Sequence, residues 1–142
     1  MNLSKNFTLE ELIRSATAIR LGLDNQPSAV QITNLTRLVT DVLQPLRDAW
    51  KQPIVVSSGF RCPVLNKVVG GVANSQHLVG EAVDIHTLGD APADNQALFA
   101  TAVCLVRDGI IEVGQLIDEY GYNWIHISLP NQTYRNQVLH IQ

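Results

Sequence analysis

In the first third of the chain apolar residues recur every three or four positions, and beyond Pro53 they come in alternating or short continuous runs. The first pattern is helical and the second belongs to strands. Thr8-Leu9-Glu10-Glu11 is a capping box, in which the hydroxyl and the Glu11 carboxylate each satisfy a free backbone N–H. Leu9, Leu12, Ile13 and Ala16 continue it at helical spacing and predict a helix near Leu9–Ser15, with Gly22 and Asn25-Gln26-Pro27 closing that unit. Ser28-Ala29-Val30-Gln31 is a second capping box. It opens a longer helix, Ala29–Trp50, with Leu35, Leu38, Val39, Val42, Leu43 and Leu46 on one face, and Pro45 should kink it or split off its last turn.

The later elements are mostly strands. Ile54–Ser58 is a β-branched run closed by Gly59 and reads as a buried strand. Pro63 starts a short helix that Gly70-Gly71 ends. Ala82–His86 reads as a strand, and Asp94 as the cap of a helix over Asn95–Asp108 stopped by Gly109. Gly114–Glu119, Asn123–Leu129 and Gln137–Ile141 follow as closely spaced strands. This order predicts an α+β fold, with helices packed on one face of a central, mostly antiparallel sheet.

The chain has 142 residues, which makes one domain, 1–142. With 46% hydrophobic and 16% charged residues it is globular and not disordered. A chain of this length buries about 70% of its unfolded surface, so neither a disulfide nor a metal is needed to hold the fold. A net charge of −3 excludes the basic face of a nucleic-acid binder and argues against a membrane-surface helix. The longest apolar run, Ala97–Val106, is about half a membrane span, so no membrane insertion is expected. Met1–Glu11 has no signal-peptide core, so synthesis in the cytoplasm is expected, with Cys62 and Cys104 reduced. Nothing in the sequence asks for an oligomer, and a monomer is expected.

The informative residues are polar ones in apolar, strand-like surroundings. His77 stands in a Gly-flanked loop, and Asp84 follows seven positions later inside an apolar strand. A buried carboxylate needs a cation or strong donors, so Asp84 either caps a neighbouring loop or ligates a metal. In Trp124-Ile125-His126-Ile127-Ser128, alternation puts Trp124, His126 and Ser128 on one face and the isoleucines on the other. Two imidazoles and one carboxylate, with water as the fourth ligand, would make an open tetrahedral zinc site of the hydrolytic kind.

Ser-x-His-x6-Asp followed by Trp-Ile-His resembles the zinc peptidases of the D-alanyl-D-alanine carboxypeptidase type. That M15-like group includes the L-alanyl-D-glutamate endolysins of phages and is related in fold to the Hedgehog signalling domain. The resemblance extends to Phe7–Leu12, Val42–Arg47 and Ser57–Asn66, in the family's order. It implies His77, Asp84 and His126 as Zn2+ ligands, Arg61 as the group that stabilises the oxyanion, and Ser75 as a substrate-binding residue. His86 shares a face with Asp84 and is a candidate substrate contact.

The general base is where this sequence departs from many relatives. They carry an acid three residues before the last His, and here that position is Asn123, which cannot take a proton from water. Glu119, at the end of the preceding strand, is the first candidate to replace it, and Glu81, between the first two ligands, is the second. Asp118 falls on the opposite face by alternation, and His140 belongs to no motif. The resemblance implies zinc-dependent hydrolysis of an amide in the peptide stem of peptidoglycan, by a carboxypeptidase or endopeptidase such as a phage endolysin, acting on the wall after release or within a phage particle. The alternative is a zinc-bearing virion, tail or wall-binding protein without catalysis, which Asn123 favours.

Overall fold

The computed structural model describes residues 1–142. Both capping boxes form: Thr8 Oγ1 accepts the Glu11 N–H, and Ser28 Oγ accepts the Gln31 N–H. The first helical unit is two short helices, α1 (Leu9–Ile13) and α2 (Ala16–Leu21). Ser15 breaks them apart, because its hydroxyl accepts the Ala18 N–H and starts a new helix. Gly22 closes α2 in the left-handed conformation, φ 68°.

The long helix runs as α3 (Ala29–Leu38), a π-helical turn (Val39–Leu43) and α4 (Gln44–Trp50). Pro45 has no N–H to give the Asp41 carbonyl, and its ring would crowd that carbonyl in a regular helix. The π turn, in which the Gln44 N–H bonds to the Val39 carbonyl, takes up the misfit just before it. The apolar stripe survives: Leu35, Leu38, Val39, Val42, Leu43 and Leu46 are all fully buried.

Next come β1 (Ile54–Ser58), α5 (Pro63–Val68), a single 3-10 turn (Gln76–Val79), β2 (Ala82–Thr87) and α6 (Pro92–Arg107). The sheet is completed by β3 (Gln115–Glu119), β4 (Trp124–Ser128) and β5 (Gln137–Ile141). Helix α6 begins at Pro92, with Ala91 rather than Asp94 at its cap. Proline suits the first helical position, where its missing N–H has no partner to lose, so the helix starts earlier and Asp94 lies in the first turn.

The strand order is β1-β2-β4-β3-β5. All neighbours are antiparallel except β3 and β5, which run parallel. β1 is therefore an edge strand, with only Ile54 of its residues buried, and not the fully buried strand its β-branched run predicts. Val83, Ile85, Ile125 and Ile127 are fully exposed to none of the solvent and join the helical stripe, Leu98 and Ala102 in one core. Each such side chain contributes about 1.5–3 kcal/mol by leaving water. Because one face of β2 and β4 is committed to this core, their even-numbered residues are forced to the other face.

Candidate metal centre and active site

The register decides what meets on that other face. Asp84 of β2 lies directly opposite His126 of β4, Ser58 of β1 lies opposite Asp84, and Ile117 and Glu119 of β3 lie opposite His126 and Trp124. His77 comes in from the 3-10 turn, whose N-cap is Ser75 and whose end is Gly80, φ 77°. A Cβ on Gly80 would lie 2.6 Å from the Gln31 carbonyl of α3, so glycine lets this turn seat against the long helix.

One atom of each of His77, Asp84 and His126 lies within 4.8 Å of the others. Asp84 Oδ1 is 3.0 Å from His126 Nδ1 and 3.4 Å from His77 Nε2. Ligands held ~2.0–2.1 Å from a tetrahedral zinc are themselves about 3.3–3.5 Å apart, so this spacing is close to a tetrahedron's edge. The His77 ring is oriented from behind: its Nδ1–H donates to the Gly59 carbonyl at 2.7 Å, which turns Nε2 toward Asp84. The His77 and His126 rings meet edge-on, with centroids 5.3 Å apart.

Asp84 is 7% exposed. Burial alone would raise its pKa, but hydrogen bonding from His126 and His77 and their charges outweigh it and hold the carboxyl well below the usual carboxylate range. The cluster is thus a buried anion between two imidazoles. These donors suit a divalent cation with nitrogen and oxygen ligands and leave a coordination position for water or substrate.

Arg61 closes the other side of Asp84. Its Nη2 is 3.3 Å from Asp84 Oδ2, its Nε donates to Ser58 Oγ at 3.0 Å, and its Nη1 donates to Asn66 Oδ1 at 3.2 Å. A guanidinium has five N–H bonds, so two remain for a substrate. Burial lowers the Arg61 pKa from its ordinary value, and the charges of Asp84 and Glu119 oppose that shift. Asn66 is itself buried, and its Nδ2 donates to the Val72 carbonyl. A Cβ on Gly71 would lie 2.1 Å from Asn66 Oδ1, so glycine is required for this close approach.

Glu119 lies on the His126 face beside Trp124, whose indole Nε1–H donates to its Oε2 at 2.5 Å. The remaining candidates are dispersed. Ser75 Oγ accepts the His77 N–H at 3.2 Å, so its oxygen shapes the turn, and its own proton is left to donate. His86 lies on the Asp84 face but outside the cluster, with Nδ1 2.7 Å from the Thr87 carbonyl. Glu81 precedes β2, and alternation sets it with Val83 and Ile85, away from the Asp84 face. Its peptide accepts the Leu129 N–H and donates to the Gln76 carbonyl. Asn123 serves the turn, its N–H bonding to the Glu119 carbonyl.

Several supporting residues carry no motif. Asn25 is buried at the join of α1 and β1: its Nδ2 donates to the Ile13 and Phe60 carbonyls and its Oδ1 accepts the Cys62 N–H. His140 is not an isolated histidine, because its Nδ1 pairs with the buried Asp118 across β3 and β5. That pair lies on the face opposite Glu119, as alternation requires.

A model of the family described as Peptidase M15 matches residues 5–128. The chain belongs to the peptidase M15 family. A Zinc D-Ala-D-Ala carboxypeptidase from Streptomyces albus G is 36% identical over 72 residues, which is 50% of this chain and 26% of that relative. The chain thus spans about a quarter of that relative's length. The two-imidazole, one-carboxylate cluster lies within the matched residues and is a donor set that suits Zn2+.

The cluster depends on Gly59 in two ways. Its carbonyl orients His77, and a Cβ there would lie 2.1 Å from the Leu12 carbonyl, the acceptor of the Phe60 N–H. Gly59→Ala is expected to cost at least about 1–3 kcal/mol, since backbone has to shift to admit the methyl group. Urea denaturation measures this, and an unchanged midpoint would show that the α1–β1 contact is looser than described.

Proposed function

We propose that the chain hydrolyses an amide bond in the peptide stem of bacterial peptidoglycan. The observation that carries this reading is the convergence, on one sheet face, of a metal-binding triad, an arginine with free donors and a carboxylate held by an indole. The Streptomyces relative supports the substrate class, its name specifying a D-Ala-D-Ala carboxypeptidase.

His77, Asp84 and His126 would hold the zinc. When bound, zinc polarises the scissile carbonyl and acidifies a water at the open position, which is the chemistry amide hydrolysis needs. Glu119 takes the proton from that attacking water and passes it to the leaving amine. Trp124 keeps one Glu119 oxygen engaged and leaves the other free to take the proton. Arg61 turns its two unused N–H bonds on the carbonyl oxygen as negative charge develops there. Ser58, Asn66 and Asp84 hold the guanidinium still, so little reorganisation is left for the transition state. Ser75 offers its hydroxyl proton to the peptide beside His77.

Asn123 favours the second reading, a zinc-bearing wall-binding or virion protein without catalysis. Digestion of purified muropeptides separates the two. The zinc-loaded protein is expected to release a new amine terminus, and a chelator is expected to stop it. Absence of any cleavage by the fully zinc-loaded protein would establish the non-catalytic reading.

A further inference from the structure

The turn joining β3 to β4 has an unusual backbone. Tyr120, Gly121 and Tyr122 all have positive φ, 54°, 66° and 65°. Tyrosine is rarely found there, because its Cβ crowds the backbone. For Tyr122 the reason lies in packing: its ring meets Phe99 edge-on at 5.8 Å, and its carbonyl accepts the Nδ2–H of the buried Asn95 at 2.9 Å. Tyr120 packs at the surface instead, against Trp124. Its ring is among the exposed ones, at 55%, and its N–H is tied to the Ile141 carbonyl at 2.7 Å.

The Tyr120 ring leans on Trp124, with centroids 5.1 Å apart and planes inclined by 52°. Trp124 is fixed in turn by Glu119. The two rings form an aromatic ledge beside the sheet face that carries Asp84 and His126. Continuing the register one pair past Ile85↔Ile125 sets His86 beside Trp124 on the same face. The His86 Nδ1–H donates to the Thr87 carbonyl, so its Nε2 is left as an acceptor for a hydroxyl group.

We infer that Tyr120, Trp124 and His86 form a saccharide subsite, which holds a pyranose ring of the glycan strand while the attached peptide lies over the metal cluster. The inference rests on the peptidoglycan reading above. The stem peptide is made of small or charged residues, none of which needs an aromatic surface. The rings of the polymer are its sugars, whose C–H faces stack on exposed aromatic rings and whose hydroxyls seek acceptors. Trp124 and His126 are two strand residues apart, ~7 Å, a gap that about two residues of extended peptide bridge.

The test compares Tyr120→Asn and Tyr120→Phe with the parent protein, all zinc-loaded. Asparagine accepts a left-handed backbone, so it removes the ring without straining the turn. Two quantities are read: the Kd of the peptide-free glycan disaccharide, by NMR titration, and the ratio of kcat/KM for a disaccharide-bearing muropeptide to that for the same peptide without sugar. Tyr120→Asn is expected to weaken disaccharide binding, and to lower the ratio, by about 10-fold, the scale of one aromatic contact. Tyr120→Phe is expected to stay within ~2-fold of the parent, because the ring is what binds. A parent that does not bind the disaccharide, or a Tyr120→Asn protein that binds it equally well, overturns the subsite. So does a Tyr120→Phe protein as weak as Tyr120→Asn. Disaccharide binding that depends on Tyr120 in a protein that cleaves neither substrate upholds the subsite and refutes the hydrolytic reading.

Discussion

Replacing His77 with alanine is expected to strip the metal from the protein and abolish hydrolysis, while the chain remains folded. His77 is one of the three residues assigned to the metal, and the two left behind, Asp84 and His126, sit on adjacent strands at 3.0 Å and offer one donor fewer than the cluster of three. The fold survives because the turn that carries His77 is held by other contacts. Arg61 N–H bonds to the His77 carbonyl, and the Gln31 and Asn34 side chains of α3 bond to the Leu78 and Val79 carbonyls. The lost imidazole leaves the Gly59 carbonyl without its partner, a cost of about 1–3 kcal/mol, which a domain of this size tolerates. Metal analysis of the purified variant, with circular dichroism as the check on folding, reads the result directly. Chelating the parent protein should reproduce the loss of activity. A folded His77→Ala protein with full zinc occupancy would remove His77 from the ligand set.

Two members of the cluster, Asp84 and His126, were legible through strand alternation, while His77 stands in a 3-10 turn and joined them through the family resemblance. Once Ile125 and Ile127 are committed to a core, His126 has only one face to occupy, and Asp84 follows likewise from Val83 and Ile85. The long helix was legible for a similar reason, its six apolar positions repeating at one period through a π turn that the pattern itself does not reveal. What the chain hides is long-range. The parallel pairing of β3 with β5 joins strands that are neighbours in sequence order only after β4, and no local signal separates it from another hairpin. The edge position of β1 is hidden too, because β-branched residues suit edge and centre alike.

The supporting residues were illegible for a different reason. Asn25 and Asn66 are buried amides whose value lies in having a donor and an acceptor at one point, and asparagine in a loop or short helix ordinarily signals a turn. Asn25-Gln26-Pro27 does end a helical unit, but its asparagine also fastens α1 to the segment that carries Arg61. Glycines 59 and 71 give the same lesson. Their spacing marks ends of elements, while the structure shows them as places where backbone or an amide comes too near for any Cβ.

Replacing Glu119 with glutamine is expected to lower hydrolysis by ~100-fold or more while zinc stays bound, since general-base assistance contributes on that scale. Glutamine keeps the shape of the side chain, and its carbonyl oxygen still accepts the Trp124 indole N–H, so the geometry of the pair is preserved. What is lost is the capacity to take a proton. The structural case for Glu119 is its register. It lies opposite Trp124, one same-face position along from the Ile117–His126 pair, and its charge bears on Arg61. Glu81 lacks this placement, because alternation turns it toward the Val83 and Ile85 side of β2. Asn123 lacks the chemistry, and its N–H is engaged in the turn. Glu81→Gln is therefore expected to retain activity within a few-fold of the parent under the same assay, about the scale of a surface substitution. Steady-state rates on one muropeptide, with zinc content measured on each sample, separate the outcomes. A Glu119→Gln protein of near-normal rate beside an inactive Glu81→Gln protein would move the base to Glu81 and require the residue before β2 to turn toward the Asp84 face. Near-normal rates in both would mean that the proton is taken by a group outside these two carboxylates, and the assignment of Glu119 would fall with it.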